Sequence, residues 1–150
     1  MWLAGVFKVR IATARGAASR TAPESAAGDN SKGVGAKVLI VDDHAGFRAH
    51  ARRFLEWEGY DVIGEAADSA SAVEAARELH PDLALVDVHL PDANGFELTT
   101  WLRKLPEPPA VVLTSSREGA GLEPCVSASG ARGFLPKSEL SRDAIEELLR

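Results

Sequence analysis

The chain has 150 residues, enough for one domain with some excess, and its composition is that of a globular protein, 45% hydrophobic and 26% charged. The net charge of −5 is uneven: residues 1–36 set Lys8, Arg10, Arg15, Arg20 and Lys32 against Glu24 and Asp29, a surplus of positive charge, and the remainder is acidic. An acidic domain argues against a phosphate-backbone binder, no stretch approaches the ~18 apolar residues of a membrane span, and a lone Cys125 excludes an internal disulfide or a cysteine metal knot.

The first 36 residues combine a mildly apolar start, Met1 to Ile11, with a stretch rich in Ala, Arg, Ser and Gly. Such a start has something of an organellar transit peptide, but Lys8 and Arg10 interrupt any secretory core. The plainer expectation is a disordered N-terminal extension that is dispensable for function. From Lys37 strand and helix patterns alternate five times. Lys37–Val41 is a strand, and Phe47, Ala51, Phe54 and Leu55 fall at helical spacing, which predicts a helix over 45–58 punctuated by Gly59. Tyr60–Glu65 is the second strand. Asp68 or Ser69 caps a helix with Val73, Ala76 and Leu79 on one face, and Pro81 ends it.

Asp82–Val86 is the third strand, followed by a loop over 88–94 with the turn formers Pro91, Asp92 and Asn94. Leu98, Trp101, Leu102 and Leu105 mark a third helix reaching Pro106. Trp57 and Trp101 are expected to pack rather than to serve as stacking platforms. Ala110–Leu113 is the fourth strand. A helix over 117–129 would contain Gly119, Gly121 and Pro124, which cost ~1 kcal/mol for each Gly and ~3 for Pro in a helix interior. A short helix starting near Leu122 or Glu123, with Pro124 in its first turn, is expected instead. Ala131–Leu135 is the fifth strand, and Ser141 caps a last helix with Ile145, Leu148 and Leu149 facing inward.

Short, almost wholly apolar runs read as parallel strands covered on both faces. The expected fold is therefore α/β, an open five-stranded parallel sheet with five helices, and ligands bind at the C-terminal edge of such a sheet. The runs end there in Asp42 and Asp43, in Asp87, in Thr114 and in Lys137. Three neighbouring acids repel one another, and a bound Mg2+ removes the conflict by taking oxygen ligands. Asp87 can then act as a nucleophile toward a phosphoryl group, with Lys137 as a point charge and Thr114 as a hydroxyl donor. Each residue alone is unremarkable in such a position; their order on successive strands is the signal. The four histidines, His44, His50, His80 and His89, have no partner at ligand spacing and are read as surface residues.

These stretches resemble a known family, the receiver domain of two-component response regulators. The matching segments are Val38–His44, Pro81–Glu97, Val111–Ser115 and Gly130–Lys137, and the resemblance covers about residues 37–150. Val62-Ile63-Gly64-Glu65-Ala66 after Gly59-Tyr60 is similar to receivers fused to helix-turn-helix outputs of the LuxR type. The resemblance implies a flavodoxin-like, doubly wound sheet in the order 2-1-3-4-5. It implies that Asp87 accepts a phosphoryl group from a histidine kinase or phosphotransfer protein. Asp43 would bind Mg2+ directly, Asp42 mainly through water, and Asp87 and the main-chain carbonyl of His89 would complete the ligands. Thr114 would contact the phosphoryl group and Lys137 would pair with it, while Phe134 would be the rotating aromatic of the switch. Family spacing counted back from Lys137 favours Ser115 as the hydroxyl; spacing counted along the strand favours Thr114, which ranks first. Output would leave through a protein partner or a self-dimer on the face of the fourth helix, fifth strand and fifth helix, whose irregular fourth helix departs from the family. With no output domain expected, the chain reads as a cytoplasmic, single-domain regulator rather than an enzyme, contacting neither nucleic acid nor membrane. The competing reading is a Mg2+-dependent small-molecule phosphatase or phosphotransferase with an Asp nucleophile. It would want an acid where His89 stands and a cap insertion longer than any connection here. A pseudo-receiver would be expected to have lost an acid or the lysine, and none is lost.

Overall fold

The computed structural model describes residues 35–116 and 121–150. Strands β1 (Lys37–Val41), β2 (Asp61–Ala66), β3 (Leu83–Asp87), β4 (Ala110–Ser115) and β5 (Gly133–Pro136) pair in parallel in the order β2-β1-β3-β4-β5. Between and after them run α1 (Ala45–Trp57), α2 (Ser69–Leu79), α3 (Gly95–Leu102), α4 (Glu123–Ser129) and α5 (Arg142–Leu149), with a 3-10 turn at Lys137–Glu139. The architecture is the expected flavodoxin-like, doubly wound sheet.

Alternation along each strand divides the core in two. Val38, Ile40, Leu83, Leu85, Val112 and Leu135 pack with Ala51 and Leu55 of α1 and with Ala144, Ile145 and Leu148 of α5. Leu39, Val41, Ala84, Val86, Leu113 and Phe134 pack on the other face, against α2, α3 and α4. Both faces are covered, so apolar residues follow one another without polar interruption. Each fully buried Leu or Ile contributes about 1.5–3 kcal/mol.

Helix starts follow side-chain chemistry. The carboxylate of Asp68 accepts from Ser71 N–H, and Ser141 Oγ from Ala144 N–H. Asn94 and Glu97 form a reciprocal capping box at α3. A second carboxylate, Asp92 from the β3–α3 loop, accepts from Ser69 and Ala70 N–H at 2.9 and 3.1 Å, which ties that loop to the start of α2.

Several expectations need correction. The helix expected to reach Pro106 stops at Leu102, because Lys104 and Leu105 bond back three residues as the chain prepares to meet Pro106. Trp57 does not pack; it is 85% exposed, two positions beyond Leu55 and so turned off the inward face of α1. Trp101 is also exposed. The short helix containing Pro124 forms as expected from Glu123, whereas Gly119 lies outside the described residues. The extension expected over 1–36 lies outside them up to residue 34. Its last residue, Ala36, is buried in the core; Gly35 N–H donates to Gly59 O, and Ala36 O accepts from Asp61 N–H.

Candidate functional site

The sheet's register fixes which strand-end residues meet. Val41 pairs with Val86, Asp87 with Thr114, and Thr114 with Leu135. Asp42, Asp87, Thr114 and Lys137 therefore continue the alternation of Ile40, Leu85, Val112 and Leu135, on the side of α1 and α5. Ser115 continues the alternation of Val111 and Leu113, on the opposite side. Phe134 belongs to that opposite side too, buried in its core.

Asp42, Asp87, Thr114 and Ser115 are buried, whereas the Asp43 side chain is 38% exposed. Lys137 Nζ lies 2.6 Å from Asp42 Oδ2 and 3.4 Å from Asp87 Oδ2. It also sits 4.5 Å from the centroid of the Phe47 ring, a cation–π contact that covers the ammonium. Thr114 Oγ1 donates to Val86 O at 3.5 Å. His89 N–H donates to Asp87 Oδ1 at 3.3 Å. Beyond Asp87 the loop is pinned at both ends: Val88 N–H donates to Thr114 O, and Gly95 N–H donates to Val88 O. Arg48 of α1 donates to Asp42 O at 2.7 Å while paired with Glu65 of β2, which holds the β1–α1 corner.

Burial pushes the Asp87 carboxyl above its ordinary range, and the neighbouring Asp42 charge pushes it further; the His89 N–H and Lys137 oppose the shift. Three carboxylates thus face one ammonium, a surplus of two negative charges. Asp42 Oδ2 is buried and accepts no hydrogen bond; Lys137 meets it as an ion pair, outside hydrogen-bonding geometry. Ligand atoms of Asp42, Asp43, His44 and Asp87 all lie within 4.8 Å of one another. This hard, anionic, incompletely satisfied oxygen set fits a divalent cation.

All the expected acids, Thr114 and Lys137 converge here, and Phe134 and Ser115 do not. Three participants were not expected. Phe47 was read only as part of a helix pattern, and nothing marked Arg48. His44 was read as a surface residue without a ligand-like partner, and its ring is 71% exposed, yet Nδ1 lies 3.2 Å from Asp42 Oδ1 and 3.1 Å from Asp43 Oδ1. Its position directly after two acids was the available signal.

A family model described as the response regulator receiver domain matches residues 38–150. The chain is 32% identical over 116 residues to the chemotaxis protein CheY of Thermotoga maritima, covering 77% of this chain and 96% of that protein. It is 36% identical over 110 residues to the transcriptional regulatory protein YdfI of Bacillus subtilis, covering 70% and 49%. Among solved structures, a two-component response regulator of the LuxR family from Aurantimonas sp. SI85-9A1 superposes with a TM-score of 0.65 at 32% identity, covering 69% of this chain and 75% of that one. The chain spans about half the length of the curated transcriptional regulators it matches, 53% and 49% in two of them. Among the described residues no helix is long and apolar enough to cross a membrane.

Proposed function

Since the chain belongs to the response regulator receiver domain family, with the phosphoacceptor role in two-component signalling that this carries, we propose that Asp87 is the residue that takes the phosphoryl group. One observation carries the assignment: among the described acids, Asp87 is the one buried at a strand end that pairs in register with Thr114 while Asp42 and Lys137 lie on its own side of the sheet. A carboxylate oxygen of Asp87 forms a bond to phosphorus as the bond from phosphorus to the donor breaks, and the donor's nitrogen leaves with the electron pair. The Lys137 ammonium and the Thr114 hydroxyl take up charge on the phosphoryl oxygens. Thr114 is preferred to Ser115 because strand alternation turns Ser115 to the far face.

Asp42, Asp43, Asp87 and the main-chain carbonyl of His89 would hold Mg2+, which supplies positive charge against the phosphoryl oxygens when bound. Lys137 pairs with the new phosphate, Thr114 moves toward it, and Phe134 rotates in answer from the other face of the sheet. The donor is a sensor histidine kinase or a phosphotransfer protein. The signal leaves through a protein partner or a second copy on the face formed by α4, β5 and α5. This reading treats the chain as a regulator that accepts and slowly releases phosphate. It operates in the cytoplasm, where the exposed thiol of Cys125 stays reduced. The family match does not favour a small-molecule phosphatase.

Incubation with acetyl phosphate, followed by intact-mass measurement, tests the assignment. The full chain should gain one phosphoryl mass with Mg2+ and none with a chelator. An Asp87→Asn chain that still gains it overturns the assignment.

A further inference from the structure

The residue that the acidic site gains beyond its carboxylates is His44. It occupies the N-cap of α1, but its side chain caps nothing. The ring turns over the acids instead, with Nδ1 3.2 Å from Asp42 Oδ1 and 3.1 Å from Asp43 Oδ1. No packing forces this, since the ring is largely exposed. The backbone N–H of the same residue donates to Asp42 Oδ1 at 2.8 Å, which holds that carboxylate next to the ring.

Both are hydrogen-bond and ion-pair distances, and they suit a second use: the tautomer with Nδ1 unprotonated would present its lone pair to a cation held by the same oxygens. In an octahedral shell with bonds of about 2.1 Å, adjacent ligand atoms lie about 3.0 Å apart. Nδ1 stands at nearly that separation from both carboxylate oxygens. Imidazole nitrogen is a poor partner for Mg2+, which prefers oxygen and retains its waters, but it suits Ni2+, Co2+ and Zn2+. One nitrogen among carboxylates therefore shifts the order of affinities toward the later first-row ions.

We propose that His44 Nδ1 is a ligand in this chain's cation site, so that the site binds borderline transition-metal ions such as Ni2+ far more tightly than Mg2+. The proposal rests on the reading that Asp42, Asp43 and Asp87 hold a divalent cation. It makes the phosphoacceptor pocket sensitive to transition-metal ions that compete for the Mg2+ position.

The test is calorimetric titration of the full chain, free of any histidine tag and without phosphodonor, with MgCl2 and with NiCl2. His44→Gln and His44→Asn should each weaken Ni2+ binding by about tenfold or more and change Mg2+ binding by less than about threefold. In 15N-edited spectra of the wild-type chain, the His44 imidazole nitrogens should shift before those of His50, His80 and His89 as Zn2+ is added. Unchanged Ni2+ affinity in both variants, with normal Mg2+ binding, overturns the role of His44 and leaves the acidic site standing. A His44 ring that responds no earlier than the other three histidines does the same without any variant. A wild-type chain that binds neither ion overturns the acidic site itself, and this proposal with it.

Discussion

Gly95 should be the least replaceable glycine near the site. It opens α3 and is buried where that helix meets the end of β3. A Cβ built on it would stand 2.6 Å from Asp87 O, 2.9 Å from Val88 Cα and 3.1 Å from Leu113 Cδ2. The two nearest atoms are backbone and cannot swing away, and Gly95 N–H is tethered to Val88 O at 2.8 Å. Overpacking of this kind costs typically 1–3 kcal/mol. Alanine regains at most about 1 kcal/mol of helix propensity. Gly95→Ala should therefore destabilise by about 1–2 kcal/mol net, and it should slow phosphorylation because the first atom displaced belongs to Asp87. Gly46 in α1 is the internal control: a Cβ there meets nothing within 4 Å, so Gly46→Ala should stabilise by about 0.5–1 kcal/mol. Urea unfolding followed by far-UV circular dichroism reads both. A Gly95→Ala chain as stable as wild type, or shifts of the same sign for the two alanines, would refute the steric argument.

Three further outcomes follow from the same geometry. Asp43→Ala should weaken Mg2+ binding more than Asp42→Ala if, as the family resemblance implies, Asp43 binds the ion directly and Asp42 mainly through water; equal losses by titration calorimetry would count against that division. Asp87 is held above its ordinary range by burial and by Asp42, so its protonated form is the one the fold prefers, and that preference is fully expressed below about pH 4 and lost as pH rises through the folded value. Asp87→Asn should then raise the melting temperature near pH 7 in chelator-treated buffer, with the difference vanishing in acid; a variant less stable at pH 7 contradicts this. A chain beginning at residue 35 should melt at a higher temperature than one beginning at residue 37, because the second loses Ala36 from the core and the bonds to Gly59 and Asp61. Those bonds are worth about 1 kcal/mol each.

Much of this is legible in the sequence because the site is built from strand ends. The apolar runs ending in Asp42, Asp87 and Lys137 gave both the sheet and the crevice. The sequence ranks Thr114 above Ser115 but not for the reason that weighs most, the face of β4 each occupies, which needs the register with Asp87. His44 escaped notice because ligand spacing was sought along helices, whereas its partners are the two residues just before it. Phe47 is a helix-face residue whose second use, covering Lys137, joins elements 90 residues apart in the chain. Trp57 misled because a place on a helix suggested packing, while its angle around α1 dictates exposure.

The most direct test of the central claim is to locate the phosphoryl group. After acetyl phosphate and Mg2+, reduction with borohydride converts an aspartyl phosphate to homoserine, and tandem mass spectrometry of tryptic peptides then reads the position. The account predicts the conversion at Asp87 within the peptide running from Glu78 to Arg103, and at no other acid in it. Conversion at Asp82 or Asp92, or at Asp42 or Asp43 in the peptide running from Val38 to Arg48, would contradict it.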